Sequence, residues 1–293
     1  MALPTRLLSQ REMTSAVPGE PLISFNNVHI GFQDVDVLRG LSFEVSPGET
    51  KVLLGESGSG KTLIMKLAAG LLQPDEGQIW VMGQNLGEMS ETELLDFRRH
   101  VGFVFQEGAL FDSMSVSDNV AFRLNEERID EKEVEARVRE ALRFVELEQA
   151  IKMYPGDLSG GMRRRVSIAR ALVDRPPLVF YDSPTAGLDP VTCQTIITLI
   201  LRGRDLQGVT SMLATQRVQD AFGLSRFRFD GKTGRVEPIG ENGRRTGPDD
   251  TGETNPPTNV LVLRDGKTYF EGSAEDVLNS TDEYIKTFLL SAE

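Results

Sequence analysis

The chain has 293 residues, of which 39% are hydrophobic, a mean hydropathy of -0.23 and a formal net charge of -12. A chain of this kind buries a sizeable core, and its acidity excludes a general polyanion binder, so any phosphate or nucleic-acid site must be local. Its one cysteine, Cys193, excludes an intrachain disulfide framework and is compatible with a reducing compartment; no apolar run reaches the roughly 18 residues that a bilayer span needs.

Residues 1–21 read as a flexible tail, because Arg6, Gln10, Arg11 and Glu12 interrupt any signal-peptide apolar stretch. Residues 22–45 are strand-like, "SPGE" (46–49) is a turn, and "KVLLG" (51–55) is a short apolar strand that runs into a glycine-rich loop. "KTLIMKLAAGLL" (61–72) has helical spacing, with Leu63, Leu67 and Leu71 on one face, and "QIWVMG" (78–83) is another strand. "SETELLDFRR" starts a polar helix and "VGFVF" a strand. A further helix is expected after Asp130, a plausible N-cap with Glu133 three residues on, and its Val134, Val138, Leu142 and Val145 recur on one face. Beyond the turn "YPGD" (154–157), the pattern predicts a helix over 160–173, a strand over 177–182, a helix over 193–203 and a strand over 208–215. Residues 237–259, with "GENGRRTGPDDTGETNPPTN" at 240–259, are rich in Gly, Pro, Asn, Thr and charge and read as a disordered insertion. "NVLVLRDGKTYFEG" is a strand pair turning at Asp265-Gly266, and "DEYIKTFLLS" a last helix. Strands alternating with helices indicate an α/β fold with a mainly parallel sheet.

"GESGSGKT" (55–62) matches the phosphate-loop pattern G-x-x-x-x-G-K-[ST], with a strand before it and a helix after it. Gly55, Glu56, Ser57, Gly58, Ser59 and Gly60 would turn backbone N–H groups inward at a helix N-terminus. Lys61 would then reach the β- and γ-phosphates and Thr62 would ligate Mg²⁺. Asp182, at the end of the apolar strand "PLVFYD", would by itself be read as a helix cap. Paired with the phosphate loop it suits the Walker B role of holding Mg²⁺ directly or through water.

"LSGGM" (158–162), followed by "RRRVSIARAL", resembles the signature of the ATP-binding cassette (ABC) ATPases, and it stands just upstream of Asp182 as in that family. Other elements fall into the family's order. Phe32 matches the aromatic that stacks on adenine, Gln106 in "FVFQEGALF" the Q-loop glutamine that reaches the metal and catalytic site, and Asp189 in "AGLDP" the D-loop. The resemblance covers residues 22–236 and resumes near 260. "FQEGALFDSMSVSDNVAF", "LSGGMRRRVSIARAL" and "YFEGSAEDVL" look most like the lipid-transport branch, the Mla/Mkl ATPases that pair with MlaE-like permeases and MCE-domain proteins, and amino-acid importer ATPases share much of this pattern.

The resemblance implies a P-loop ATPase core at 22–236 with a mainly parallel sheet, an antiparallel β subdomain and an inserted helical subdomain at about 89–157, completed by a strand pair and helix at 260–293. It implies ATP and Mg²⁺ as cofactors and a head-to-tail dimer with a second ATPase subunit, homo- or heterodimeric. In that dimer Ser159, Gly160 and Gly161 would serve the partner's ATP, and the segment 106–120 would touch an integral-membrane permease. The expected location is cytoplasmic, peripheral on the inner face of the cell membrane. Arg163, Arg164 and Arg165 invite a nucleic-acid reading, but they sit on the signature helix of an acidic chain, so no nucleic-acid partner is expected.

Two positions depart from the family pattern. Where a glutamate normally follows the Walker B aspartate and polarises the attacking water, this chain has Ser183; where a histidine normally contacts the γ-phosphate, it has Gln216. The chain's histidines, His29 and His100, lie elsewhere. Three readings follow: a transport motor subunit whose own site is slow, beside a second ATPase chain with a glutamate; an ATP-binding regulatory or structural subunit; or an active homodimer in which another residue, such as Gln216 or Asp189, orients water.

Overall fold

The computed structural model describes residues 20–33, 35–239 and 257–290. Of the expected tail, residues 1–19, and of the expected insertion, residues 240–256, lie outside the described residues. The edges of that insertion are ordered strand: β10 (Arg235–Pro238) pairs antiparallel with β9 (Phe227–Asp230), and β11 (Thr258–Arg264) enters the main sheet.

The main sheet has the order β12-β11-β3-β8-β7-β6. Its strands β3 (Thr50–Leu54), β6 (Val101–Val104), β7 (Leu178–Asp182), β8 (Thr210–Thr215) and β11 are parallel, and β12 (Lys267–Ser273) closes one edge as an antiparallel hairpin partner. Asp265 and Gly266, with φ of 51° and 74°, make its two-residue turn, the left-handed pair such a hairpin favours. A smaller antiparallel sheet holds β1 (Ile23–Phe32), β2 (Val35–Val45), β4 (Glu76–Val81) and β5 (Gln84–Asn85) in the order β2-β1-β4-β5.

The parallel strands are apolar on both faces, as a sheet covered on both sides must be. Val52, Leu54, Val179, Tyr181 and Leu213 face one core, with α3 (Val116–Glu126), α4 (Glu131–Phe144), α5 (Gly160–Leu172), α6 (Pro190–Gln207) and α7 (Val218–Arg226). Leu53, Leu178, Phe180, Met212 and Ala214 face a second core, with α1 (Lys61–Ala68), α2 (Glu91–Arg98) and the antiparallel sheet. The span 89–157 is not purely helical: β6 lies inside it and pairs with β7.

Local chemistry moves several element ends. Helix α1 stops at Ala68, short of the expected 72, because Gly70 adopts φ 63° and Leu71 N–H bonds back to Lys66 O at 2.9 Å; Leu71 is left exposed. Helix α6 is longer than expected at both ends, from Pro190, just after the capping side chain of Asp189, to Gln207, followed by left-handed Gly208. Asp130 does cap α4, but Glu133 pairs with Arg137 instead of reaching back to the cap. The chain closes with α8 (Ala274–Leu278) and α9 (Glu283–Leu290).

Arg204, on α6, is 1% exposed and joins elements far apart in the chain. It donates to Leu224 O at 2.6 Å, to Phe227 O at 3.0 Å and to Thr258 Oγ1 at 3.2 Å, and pairs with Asp205 at 2.7 Å. Replacing one partner of a buried ion pair strands the other charge, so Arg204→Met is expected to lose about 3–5 kcal/mol of stability in urea unfolding; a loss under about 1 kcal/mol would contradict this.

Candidate functional site

Every parallel strand ends at the same edge of the sheet, and the candidate residues collect there, where open α/β sheets bind ligands. The loop after β3 carries Gly55 to Gly60; Asp182 ends β7; Gln106 follows β6 and Gln216 follows β8, the two strands that flank β7. Asp182 and Lys61 are buried, 5% and 7% exposed, whereas Gln106 and Gln216 are exposed.

Gly58 and Gly60 take φ of 80° and 96°, which lets successive amides of the loop turn to one side. A Cβ on Gly60 would also lie 2.9 Å from the end of the Leu38 side chain, which would have to shift. Lys61 folds back over the loop, donating to Gly55 O and Glu56 O at 2.7 Å each and to Ser59 Oγ at 3.3 Å. Burial lowers its amine to about 8, against the raising fields of Asp182 and Glu56. One residue on, Thr62 Oγ1 donates to Asp182 at 2.9 Å to Oδ2 and 3.1 Å to Oδ1, tying α1 to the end of β7 across the intervening β8.

These groups fit a magnesium nucleotide. A hydroxyl and a carboxylate held together are the hard oxygen donors Mg²⁺ takes, and that ion uses one or two protein ligands beside substrate phosphates. A lysine kept inside a glycine loop, with the amides around it, suits the phosphates.

Ser183 sits in the left-handed region at φ 47°, unusual for a residue with a Cβ. Its N–H donates to Ala214 O at 2.9 Å, and its hydroxyl lies 3.3 Å from Asp182 Oδ1, to which it donates. The segment that follows is pinned from below. The carboxylate of Asp220 accepts from Thr185 at 2.6 Å and from Thr215 at 2.7 Å; burial pushes that carboxyl up, against the two threonine hydrogen bonds and Arg217. No sequence signal pointed to this network, because its members come from separate elements.

The signature residues form a second exposed feature. Ser159 caps α5, accepting from Met162 N–H at 3.2 Å, with Gly160 and Gly161 as its first turn. A Cβ on Gly161 would lie 2.5 Å from the Thr192 side chain, so only glycine allows α5 to approach the start of α6 this closely. Asp189 there accepts from the N–H groups of Val191 and Thr192, and its hydrogen bonds to Thr192 hold its carboxyl below the usual range. Among the described residues, no hydrogen bond joins Ser159, Gly160 or Gly161 to the phosphate loop. Phe32 also stands apart, half exposed where β1 pairs with the start of β2.

The three consecutive arginines are structural ties. Arg163 donates to Leu158 O at 2.6 Å, Arg165 to Val145 O at 3.1 Å, and buried Arg164 to Phe105 O at 2.9 Å, which fixes the residue just before Gln106.

A glycine loop between strand and helix, with a strand-end acid two strands away, defines a P-loop NTPase. The family described as ABC transporter matches residues 38–186, and the chain belongs to it, as one of its ATP-binding cassette ATPases. The intermembrane phospholipid transport system ATP-binding protein MlaF of Haemophilus influenzae is 30% identical over 269 residues, covering 92% of this chain and 90% of that protein, and the likeness is to the Mla ATPase branch. A sulfate/thiosulfate import ATP-binding protein, CysA of Gloeobacter violaceus, is 36% identical over 218 residues, 74% of this chain and 62% of that one. Among solved structures, a dimeric ATP-binding cassette in a post-hydrolysis state bound to ADP and Pi superposes with a TM-score of 0.69 at 25% identity, covering 86% of this chain and 98% of that one.

The depressed Lys61 amine is directly measurable. Lysine-selective NMR of the nucleotide-free protein should show the amine titrating near 8, and a midpoint above 10 would contradict its burial. Between about 8 and the ordinary lysine value near 10.4, the unfolded chain binds the extra proton, so this group makes stability rise with pH across that window.

Proposed function

We propose that this chain is the ATP-binding subunit of a membrane lipid transporter of the Mla type, holding MgATP at a dimer interface while its own site hydrolyses slowly. One observation carries the reading: Lys61, Thr62 and Asp182 converge on the phosphate loop, while the next position offers only the Ser183 hydroxyl, already bonded to Asp182. The lipid class rests on the phospholipid-system relative, which matches over nearly its whole length.

In this reading the loop amides and Lys61 bind the phosphates, Thr62 and Asp182 hold Mg²⁺ with Gln106, and Phe32 meets the base. The Mg²⁺, when bound, neutralises phosphate charge. Ser159, Gly160, Gly161 and Asp189 face the second ATPase subunit, whose nucleotide the exposed start of α5 completes. The segment 106–120 and α3 meet the permease, an MlaE-like protein; the ring pair Phe111–Phe122, 4.8 Å between centroids and exposed, supports that surface. The protein then works on the inner face of the membrane.

Ser183 is too weakly basic to take a proton from water, and Gln216 supplies a hydrogen bond but no charge. Loss of a general base costs about 10²–10⁴ in rate, or roughly 3–5 kcal/mol of barrier. Binding is spared because the loop, Thr62 and Asp182 are intact. A second reading, a regulatory subunit in which ATP only clamps the dimer, draws on the same Ser183. A neighbouring ATPase chain with an intact glutamate would favour the motor.

The test is turnover and nucleotide binding, alone and with the permease. Lys61→Ala should abolish binding. Ser183→Glu should raise turnover by about 10²–10⁴, the reverse of losing a base. Ordinary ATPase rates in the wild type, abolished by Lys61→Ala, would refute the slow site.

A further inference from the structure

A cleft of about 510 Å³ opens beside the phosphate loop, walled by β2, by the loop at Glu56 to Ser59, by the β11–β12 turn and by Tyr284 of α9. The turn belongs to the C-terminal part of the chain, yet it is seated firmly. Arg39 N–H donates to Gly266 O at 2.9 Å, and a Cβ on Gly266 would lie 2.3 Å from Val37 O. The carbonyl just before Arg264 lies against the loop itself: a Cβ on Gly55 would stand 3.0 Å from Leu263 O. The Tyr284 hydroxyl donates to that same carbonyl at 3.1 Å.

Arg264 therefore enters the cleft from a fixed point of backbone. Its guanidinium lies over the Tyr284 ring at 4.5 Å and near the Tyr269 ring at 5.2 Å, while its ion pair with Asp265 is long, 3.6 Å, and its side chain stays 45% exposed. Aromatic faces hold a guanidinium in place without neutralising it. The cleft is lined by the carboxylates of Glu56, Asp36 and Asp265 and by the cations of Arg39 and Arg264, so a polyphosphate entering it needs a cation that is not already neutralised. A planar guanidinium suits phosphate oxygens.

We propose that Arg264 is a second cationic contact for the phosphates of the nucleotide, positioned by Tyr284, in addition to Lys61. This rests on the reading that the loop binds ATP. It gives the C-terminal hairpin and helix a direct part in nucleotide affinity.

The test uses the full chain, with ATP binding followed by calorimetry and inorganic triphosphate as a competitor. Arg264→Gln should weaken both ligands by about tenfold, the size of one hydrogen bond to a charged group, with an unchanged unfolding midpoint. Arg264→Lys should recover part of the loss, and Tyr284→Leu should fall between wild type and Arg264→Gln. Wild-type affinity in Arg264→Gln overturns the inference and leaves ATP binding standing, provided Lys61→Ala abolishes it. Weakened ATP with unchanged triphosphate competition also overturns it, by placing the contact on the nucleoside. Absence of ATP binding in the wild type overturns both readings.

Discussion

The hydrogen bond from Thr62 to Asp182 is the constraint around which the rest of the site is arranged. It joins the first turn of α1 to the last residue of β7, although β8 lies between their strands. Only a parallel sheet, with all its strands ending at one edge, brings those two residues within reach, and only a loop that reverses through Gly58 and Gly60 starts α1 in the right place. The same edge then receives the residues that follow β6 and β8. Burial around the pair explains the lowered Lys61 amine: an enclosed cation that spends its hydrogen bonds on loop carbonyls is poised to exchange them for phosphate oxygens.

Beside that pair, Ser183 separates two properties. Its N–H donates to Ala214 O and its hydroxyl to Asp182, so both of its donors are engaged at the end of β7. The Thr185–Asp220–Thr215 network ties the segment after Ser183 to the end of β8. Lys61, Thr62 and Asp182 stay in register while the next position carries no carboxylate.

The phosphate loop and the signature were legible in the sequence because each is local, a glycine pattern at the start of a helix; Asp182, which alone reads as a helix cap, was legible only once paired with that loop. The parallel sheet was legible too, from apolar strands alternating with helical spacing. What escaped depends on contacts distant in sequence. The Asp265-Gly266 turn was readable, but nothing local places it on Val37 and Arg39 of β2, which brings Arg264 to the loop. Buried Arg164 and Arg204 are tied to carbonyls of residues distant in the chain, which no local pattern reveals. Helix α3 went unread even though Ser115 and Asp118 form a reciprocal cap at its start, a local signal that was there to use. The end of α1 was overrun because Leu71 continued the apolar spacing past the left-handed Gly70.

The most direct measurement is a single-turnover experiment with the protein in excess over radiolabelled MgATP, quenched over time, with bound nucleotide identified. A site that binds but barely hydrolyses predicts that ATP is captured quickly and recovered intact over minutes. Conversion of the captured ATP to ADP within about a second, the range of ordinary enzyme turnover, would contradict it.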